Sequence, residues 1–244
     1  MVSLKKLYIG KTKILYYSTV ASTNTLALNN SELTHGDVVL ADRQDGGRGR
    51  MGRSFFSPTG GLYMSVVLDP NEICCTLPLC TASAAVAVRG VLTDEGISGL
   101  SVKWVNDILK DRKKVAGILT EASSFGGKTE RVVVGIGINL QPPEGGFPDD
   151  IKERAGDVGY TGDKLTLAAR IAETLCDTVK KSRAEVAEEY SAALGMIGER
   201  VTARDYTRPD ETVVGKVLGV DENCFLKIQT DSGEVLTLSS GEIN

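Results

Sequence analysis

The sequence predicts an α+β fold: a large mixed unit over about residues 1–195, then a small β-barrel or meander over about 196–244. Three observations lead there. Short aliphatic segments bounded by glycine or polar turns recur along the first half and read as strands. Two longer segments carry alanine, leucine and valine at helical spacing. After Gly198 the rhythm changes to short strands separated by Asp, Asn and Gly turns, as in a small barrel.

The elements follow in order. Lys13–Ser18, Asp37–Asp42 and Tyr63–Leu68 are the first strands, the chain's first one beginning about a dozen residues in. Ser22–Asn30 is a short helix that starts near Ser22–Asn24. Pro78–Glu95 is a helix with Pro78 in its first turn and Gly96 as its stop; its small residues imply close packing on the sheet. Val102–Val105, Lys114–Glu121 and Arg131–Ile138 are three further strands, the last apolar enough to be central. Gln141–Tyr160, rich in Pro, Gly and Asp, is a surface loop. Asp163 to about Leu194 is the longest helical stretch, with Leu167, Ile171, Leu175 and Val179 as its apolar stripe and Gly195 as its end. Strands at Arg200–Arg204, Thr212–Val220, Phe225–Thr230 and Glu234–Leu238 complete the chain, with turns at Asp221–Asn223 and Asp231–Gly233.

Composition narrows the function. At 244 residues the chain can bury a proper core, with roughly 70–75% of the unfolded surface removed from water. Residues 196–244 hold five Lys/Arg against nine Asp/Glu and so carry the whole net charge of −4; residues 1–195 hold 23 of each. Non-specific nucleic-acid binding needs many phosphate contacts, which an acidic chain with one basic loop does not offer. Five cysteines without a C-x-x-C pair and a lone His35 form no zinc set, so no protein metal ligands are expected; the cysteines read as free buried thiols in a reducing compartment. There is no signal-peptide h-region, and no apolar run approaches 18 residues. A soluble, cytoplasmic protein is the expectation, with no membrane or nucleic-acid partner.

The segment GGRGRMGRSFFSP (46–58) is the most informative. Gly46, Gly47, Gly49 and Gly52 interleave with Arg48, Arg50 and Arg53, and no acid follows before Asp69. Glycine permits close backbone approach, successive N–H groups can form an anion nest, and arginine grips carboxylate or phosphate with two parallel bonds. The loop suits two anions held together; a solvated basic loop or an RNA-touching RG segment is the plainer alternative. A second polar segment, KWVNDILKDRKKVAGILT (103–120), places Asn106 and Asp107 at a strand end and Lys114 at the start of the next. If those strands form a hairpin, the three approach one rim, where an ammonium could stabilise charge as a carboxylate attacks phosphorus. An exposed turn of solvated charges is the alternative. Phe56 is expected in the core, and Lys103 is read as snorkelling from a strand end.

STN (22–24), QDGGRGRMGRSFFSP (44–58), LYMSV (63–67), KWVNDI (103–108), KKVAGIL (113–119) and VVGIGINL (133–140) occur in the order and spacing of biotin protein ligases, which the chain resembles along essentially its whole length. SSGEI (239–243) is similar to the end of their C-terminal module, and the short N-terminus resembles the group without an added DNA-binding domain. The resemblance implies a mixed-sheet catalytic domain (1–195) like that of class II aminoacyl-tRNA synthetases, followed by an SH3-like domain (196–244). It implies an enzyme that joins biotin and ATP, with Mg2+, into biotinyl-5′-adenylate and passes biotin to a lysine of a biotin carboxyl carrier domain. Homodimer formation stays open.

Residue by residue, the resemblance implies that Ser22, Thr23 and Gln44, beside Asn24, bind the ureido and thiophane end of biotin, with Gly47 and Gly117 allowing close approach. Arg48 and Arg50 would close over biotin and the adenylate phosphate, and Arg53 would support the ATP phosphates. Phe55, where many members have tryptophan, would lie against the adenylate. Lys114 would contact the biotin carboxylate and α-phosphate, Asn106 and Asp107 would face ATP and the incoming lysine, and Asn139 would lie near adenine. Lys114, Arg48 and Asp107 are the expected catalytic set. Val105 replaces the usual proline of K-W-P-N-D. A lipoate or octanoyl ligase of the same fold, a non-enzymatic biotin-binding regulator and an RNA-binding module are the rival readings; Ser22, Thr23 and Gln44 favour biotin over an acyl chain without polar groups.

Overall fold

In a computed structural model, which describes residues 4–208 and 211–243, two sheets and four α-helices account for the regular structure. The first sheet has eight strands: β1 (Leu4–Ile9), β2 (Thr12–Val20), β3 (Val38–Gln44), β4 (Leu62–Leu68), β5 (Leu100–Lys103), β6 (Asp107–Lys110), β7 (Lys113–Phe125) and β8 (Lys128–Ile138). Their order is β1-β2-β3-β4-β8-β7-β6-β5. Only β2 and β3 pair in parallel, joined by α1 (Thr23–Asn29), so the sheet is mixed. The helices α2 (Leu77–Asp94) and α3 (Lys164–Thr178) pack on one face of this sheet, and α4 (Arg183–Ala193) packs on α2. The second sheet, β12-β11-β10-β9-β13, is antiparallel and comprises β9 (Arg200–Asp205), β10 (Thr212–Val220), β11 (Leu226–Thr230), β12 (Val235–Leu238) and β13 (Gly241–Ile243).

The packing follows from the residue pattern. β4 is buried on both faces, as its unbroken run LYMSVVL requires at the centre of a covered sheet. In α2, Ala82, Ala84, Ala85 and Ala87 are buried, so the helix axis lies close against the strands. Leu167, Ile171, Leu175 and Val179 are fully buried, as their i, i+4 spacing demands. In β10, exposed and buried residues alternate along the strand, the mark of a barrel wall with one wet face.

Several elements differ from the sequence reading. β1 precedes the expected first strand; it is a mostly exposed edge strand whose lysines hide the apolar alternation. The Val102–Val105 strand stops at Lys103, and β6 lies between it and β7, so 100–125 forms a three-stranded meander rather than a simple hairpin. The peptide between Trp104 and Val105 is cis. The stretch Asp163–Leu194 is two helices, because Ser182 and Glu185 form a capping box that starts α4 anew. Phe56 is 41% exposed rather than core, and Cys74 is exposed while Cys80 and Cys224 are buried. No helix among the described residues is long and apolar enough to cross a membrane.

Candidate active site

A cleft of about 960 Å3, its open mouth included, lies between the start of α1, the arginine loop, the β5–β6 turn and β13. Its floor is made of glycines. Gly135 and Gly137 alternate on one face of β8, and Gly117 of β7 is directly opposite Gly137. A Cβ on Gly137 would lie 2.5 Å from Phe55 Cε1, one on Gly117 would lie 2.9 Å from Phe55 Cε2, and one on Gly135 would lie 2.3 Å from Asn24 Oδ1. The missing side chains therefore leave the space that Phe55 and Asn24 occupy against the sheet. Phe55 is further held by an edge contact to Tyr63, ring centroids 6.4 Å apart.

One end of the cleft is neutral and hydrogen-bonded. Ser22 caps α1, its Oγ accepting from Thr25 N–H at 3.4 Å, and it also lines the cleft. Thr23 donates to Gln44 Oε1 from its backbone N–H (2.9 Å) and its hydroxyl (3.1 Å). Gln44 Nε2 donates to Ser57 Oγ at 3.1 Å, and Ser57 donates to the Phe55 carbonyl at 2.9 Å. The fully buried Ser65 hydroxyl lies 2.5 Å from Asn24 Oδ1 and 2.8 Å from Thr23 Oγ1. Asn24 Nδ2 donates to Glu121 Oε2 at 2.7 Å. The amide orientations of Gln44 and Asn24 are thus set by neighbours on four different elements, which pre-organises donors and acceptors for a polar ligand.

The other end is cationic. Lys114 Nζ lies 2.7 Å from Asp107 Oδ1 and 5.6 Å from the centre of the Phe55 ring. β6 and β7 bring this pair together; Asn106, just before β6, donates from Nδ2 to the Ile118 carbonyl at 3.0 Å and fixes the turn. Arg48 pairs at 2.7 Å with Glu121 Oε2, the oxygen that also accepts from Asn24, and so stands between the two ends. Arg50 reaches into the second sheet, donating to the Gly241 carbonyl (3.3 Å) and Ser240 Oγ (3.2 Å), and burial lowers its pKa from the ordinary guanidinium value. Arg53 forms a fork with the Glu242 carboxylate, 2.6 Å on one side, and donates to Tyr206 Oη at 3.0 Å. Arg53's hydrogen bonds hold the Glu242 carboxyl down at about 2. The arginine loop is therefore strapped to β13, and the second sheet closes one wall of the cleft.

The expected residues Ser22, Thr23, Asn24, Gln44, Arg48, Arg50, Arg53, Phe55, Asn106, Asp107, Lys114 and Gly117 all line this one cleft. Two do not. Gly47 faces the protein: a Cβ there would meet the Phe55 carbonyl at 2.4 Å and Ser57 Oγ at 2.5 Å, so glycine is needed for the loop's own packing. Asn139 donates to the Gly156 carbonyl at 2.8 Å and pins the 141–160 loop outside the cleft. Lys103, read as snorkelling, also lines the cleft. Ser65, Glu121, Gly135, Gly137 and Glu242 escaped the sequence reading. The alternation of Gly135 and Gly137 at strand period was an available signal, and Glu242 lies in the SSGEI segment that carries part of the resemblance.

Known proteins share this sequence pattern and fold. The chain matches the biotin/lipoate A/B protein ligase family over residues 16–139 and the biotin protein ligase C-terminal domain over 196–244. It is 35% identical over 233 residues to the bifunctional ligase/repressor of Bacillus subtilis, covering 90% of this chain and 70% of that protein. It is 30% identical to the biotin–[acetyl-CoA-carboxylase] ligase of Paracoccus denitrificans, with 87% and 92% covered. The biotin protein ligase of Aquifex aeolicus, solved in complex with biotin and ATP, superposes with a TM-score of 0.79 at 31% identity, over 95% of this chain and 97% of that one. With its mixed sheet, its C-terminal antiparallel sheet and these relatives, the chain belongs to the biotin/lipoate A/B protein ligase family and, within it, is a ligase of the biotin protein ligase group.

Proposed function

We propose that the chain joins biotin and ATP into biotinyl-5′-adenylate and then biotinylates one lysine of a carboxylase's biotin carboxyl carrier domain in the cytoplasm. The observation that carries this reading is one glycine-floored cleft with a neutral hydrogen-bonding end and a cationic end. Biotin has the same polarity: a ureido ring at one end and a carboxylate at the other. In the first step a carboxylate oxygen attacks the α-phosphorus, the bond to the bridging oxygen breaks and pyrophosphate leaves. In the second the lysine amine attacks the acyl carbon, AMP leaves, and the amine gives up its proton.

The residues divide this work. Ser22, Thr23, Asn24 and Gln44 meet the ureido end, where burial rewards exact pairing of polar groups. Lys114 and Arg48 face the carboxylate and α-phosphate and stabilise the charge there. Arg50 and Arg53 support the phosphates, Phe55 lies against the adenylate, and Asp107 orients Lys114 from the side of the incoming lysine. A catalytic domain (1–195) and an SH3-like domain (196–244) share the site, the second supplying Ser240 and Glu242 to brace the arginines. Among the described residues no three-carboxylate, His or Cys cluster offers a metal cage, and Asp107, Glu121 and Glu242 are each paired with a cation. Mg2+ enters with ATP, held chiefly by its phosphates, as part of the substrate.

The test is ATP–pyrophosphate exchange dependent on added acid. Exchange with biotin and none with lipoate is expected; exchange supported by lipoate alone would overturn the assignment. Incorporation of label into a carrier domain, and its loss when the acceptor lysine is replaced by arginine, then tests the transfer step.

A further inference from the structure

Cys75 and Cys80 lie away from the cleft, at the N-terminus of α2, with their Sγ atoms 3.1 Å apart. Cys75 precedes the N-cap Thr76, and Cys80 is the fourth residue of the helix. These are the N′ and N4 positions, whose side chains meet across a helix start in the hydrophobic staple. Here both staple positions are thiols. Two thiols that merely pack would satisfy the staple; two further properties point to chemistry.

The first is an asymmetry of access. Cys80 is fully buried, whereas Cys75 is only partly so and belongs to a segment that also exposes Cys74. The second is an asymmetry of acidity in the same sense. The Sγ–Sγ contact lowers the Cys75 pKa, while the same contact and burial raise that of Cys80. The N-terminal dipole of an 18-residue helix further favours a thiolate there. The reachable sulfur is thus the nucleophilic one, and the buried sulfur stands beside it as resolving partner.

We infer that Cys75 and Cys80 form a peroxide-oxidisable dithiol, with hydroperoxides as the class of oxidant. The Cys75 thiolate attacks the terminal oxygen of the hydroperoxide; the S–O bond forms, the O–O bond breaks, and the alcohol or water leaves after protonation. Cys80 sulfur then attacks the sulfenic sulfur, the S–S bond forms, the S–O bond breaks, and water leaves with the Cys80 proton. One dithiol is oxidised and one hydroperoxide is reduced. The sulfurs need close only from 3.1 Å to about 2.05 Å. The backbone on either side is anchored: Cys74 N–H donates to the Val179 carbonyl at 3.0 Å and Cys80 N–H to that of Thr76 at 2.9 Å.

The experiment treats the full chain with stoichiometric hydrogen peroxide under native conditions. Thiols counted after quenching and unfolding should fall from five to three, the intact mass should drop by about 2 Da, and a peptide map should link Cys75 to Cys80. Cys74→Ser should lose the same two thiols. The Cys74→Ser/Cys80→Ser double variant, which keeps neither neighbouring thiol, should instead trap a sulfenic acid on Cys75 that reacts with dimedone. Dithiothreitol should restore all five thiols. Oxidation confined to Cys74, a link from Cys74 to either neighbour, or a Cys74→Ser/Cys80→Ser protein without dimedone label at Cys75 would overturn the inference.

Discussion

Replacing Lys114 by alanine should slow adenylate formation by about 10²–10³ while leaving the protein folded, a separation that the geometry makes measurable. The Lys114 side chain is 37% exposed and that of its partner Asp107 24% exposed. An ion pair so open to water contributes about 0–1 kcal/mol to folding, and its stacking on Phe55 about 0.5–1 kcal/mol more. The same ammonium, if it meets charge developing between a carboxylate and an α-phosphate, is worth about 2.7–4 kcal/mol in the transition state. The loss in rate should therefore exceed the loss in stability. Single-turnover formation of labelled biotinyl-adenylate isolates the step, and chemical unfolding reports the fold. Lys113 is the internal control: it is exposed, does not line the cleft, and its stem packs against Gly156. Lys113→Ala should be nearly silent. Lys114→Arg should rescue poorly, since a planar fork does not replace a compact charge beside Asp107 and Phe55. A Lys114→Ala protein that makes adenylate at the normal rate would refute the reasoning.

Three further outcomes follow from the site. Gly137→Ala must displace Phe55, because the new methyl would lie 2.5 Å from its ring; calorimetric nucleotide affinity should fall, whereas Gly60→Ala, whose Cβ direction is open, affects folding alone through its positive φ. Ser65→Ala strands the buried Asn24 amide oxygen and should lower unfolding free energy by about 1–3 kcal/mol and weaken biotin binding together, as a urea titration with and without biotin would show. Because the Glu242 carboxyl is held at about 2, below its ordinary 4.5, the Arg53–Glu242 brace is complete above pH 4.5 and is lost as pH falls toward 2. Trp104, the only tryptophan, donates to the Cys224 carbonyl where the two sheets meet; its fluorescence should report that loss, and Glu242→Gln should remove this component of the titration.

Local signals made much of the fold readable. Thr212–Val220 is a strand at its expected bounds, and the expected helix Pro78–Glu95 lies within a residue of the observed ends of α2. Ser182-x-x-Glu185 was an equally local signal, a capping box whose meaning was masked by the continuous helical composition around it. The glycine–arginine segment and the Asn106–Asp107 and Lys114 spacing carried the chemistry, because residue type and short-range order decide which groups can grip an anion. What sequence spacing could not express was contact between distant segments. Glu242 reaches Arg53 across 189 positions, and Arg48 and Asn24 share Glu121 from 73 and 97 positions away. Gly47 and Gly137 look alike as letters, yet the backbone turns one toward its own loop and the other toward the cleft. Chain order determined which chemical groups this protein owns and the elements that carry them; only the folded sheets, by the register of β7 on β8 and the closure of β13 on the arginine loop, decided which of those groups face a common space.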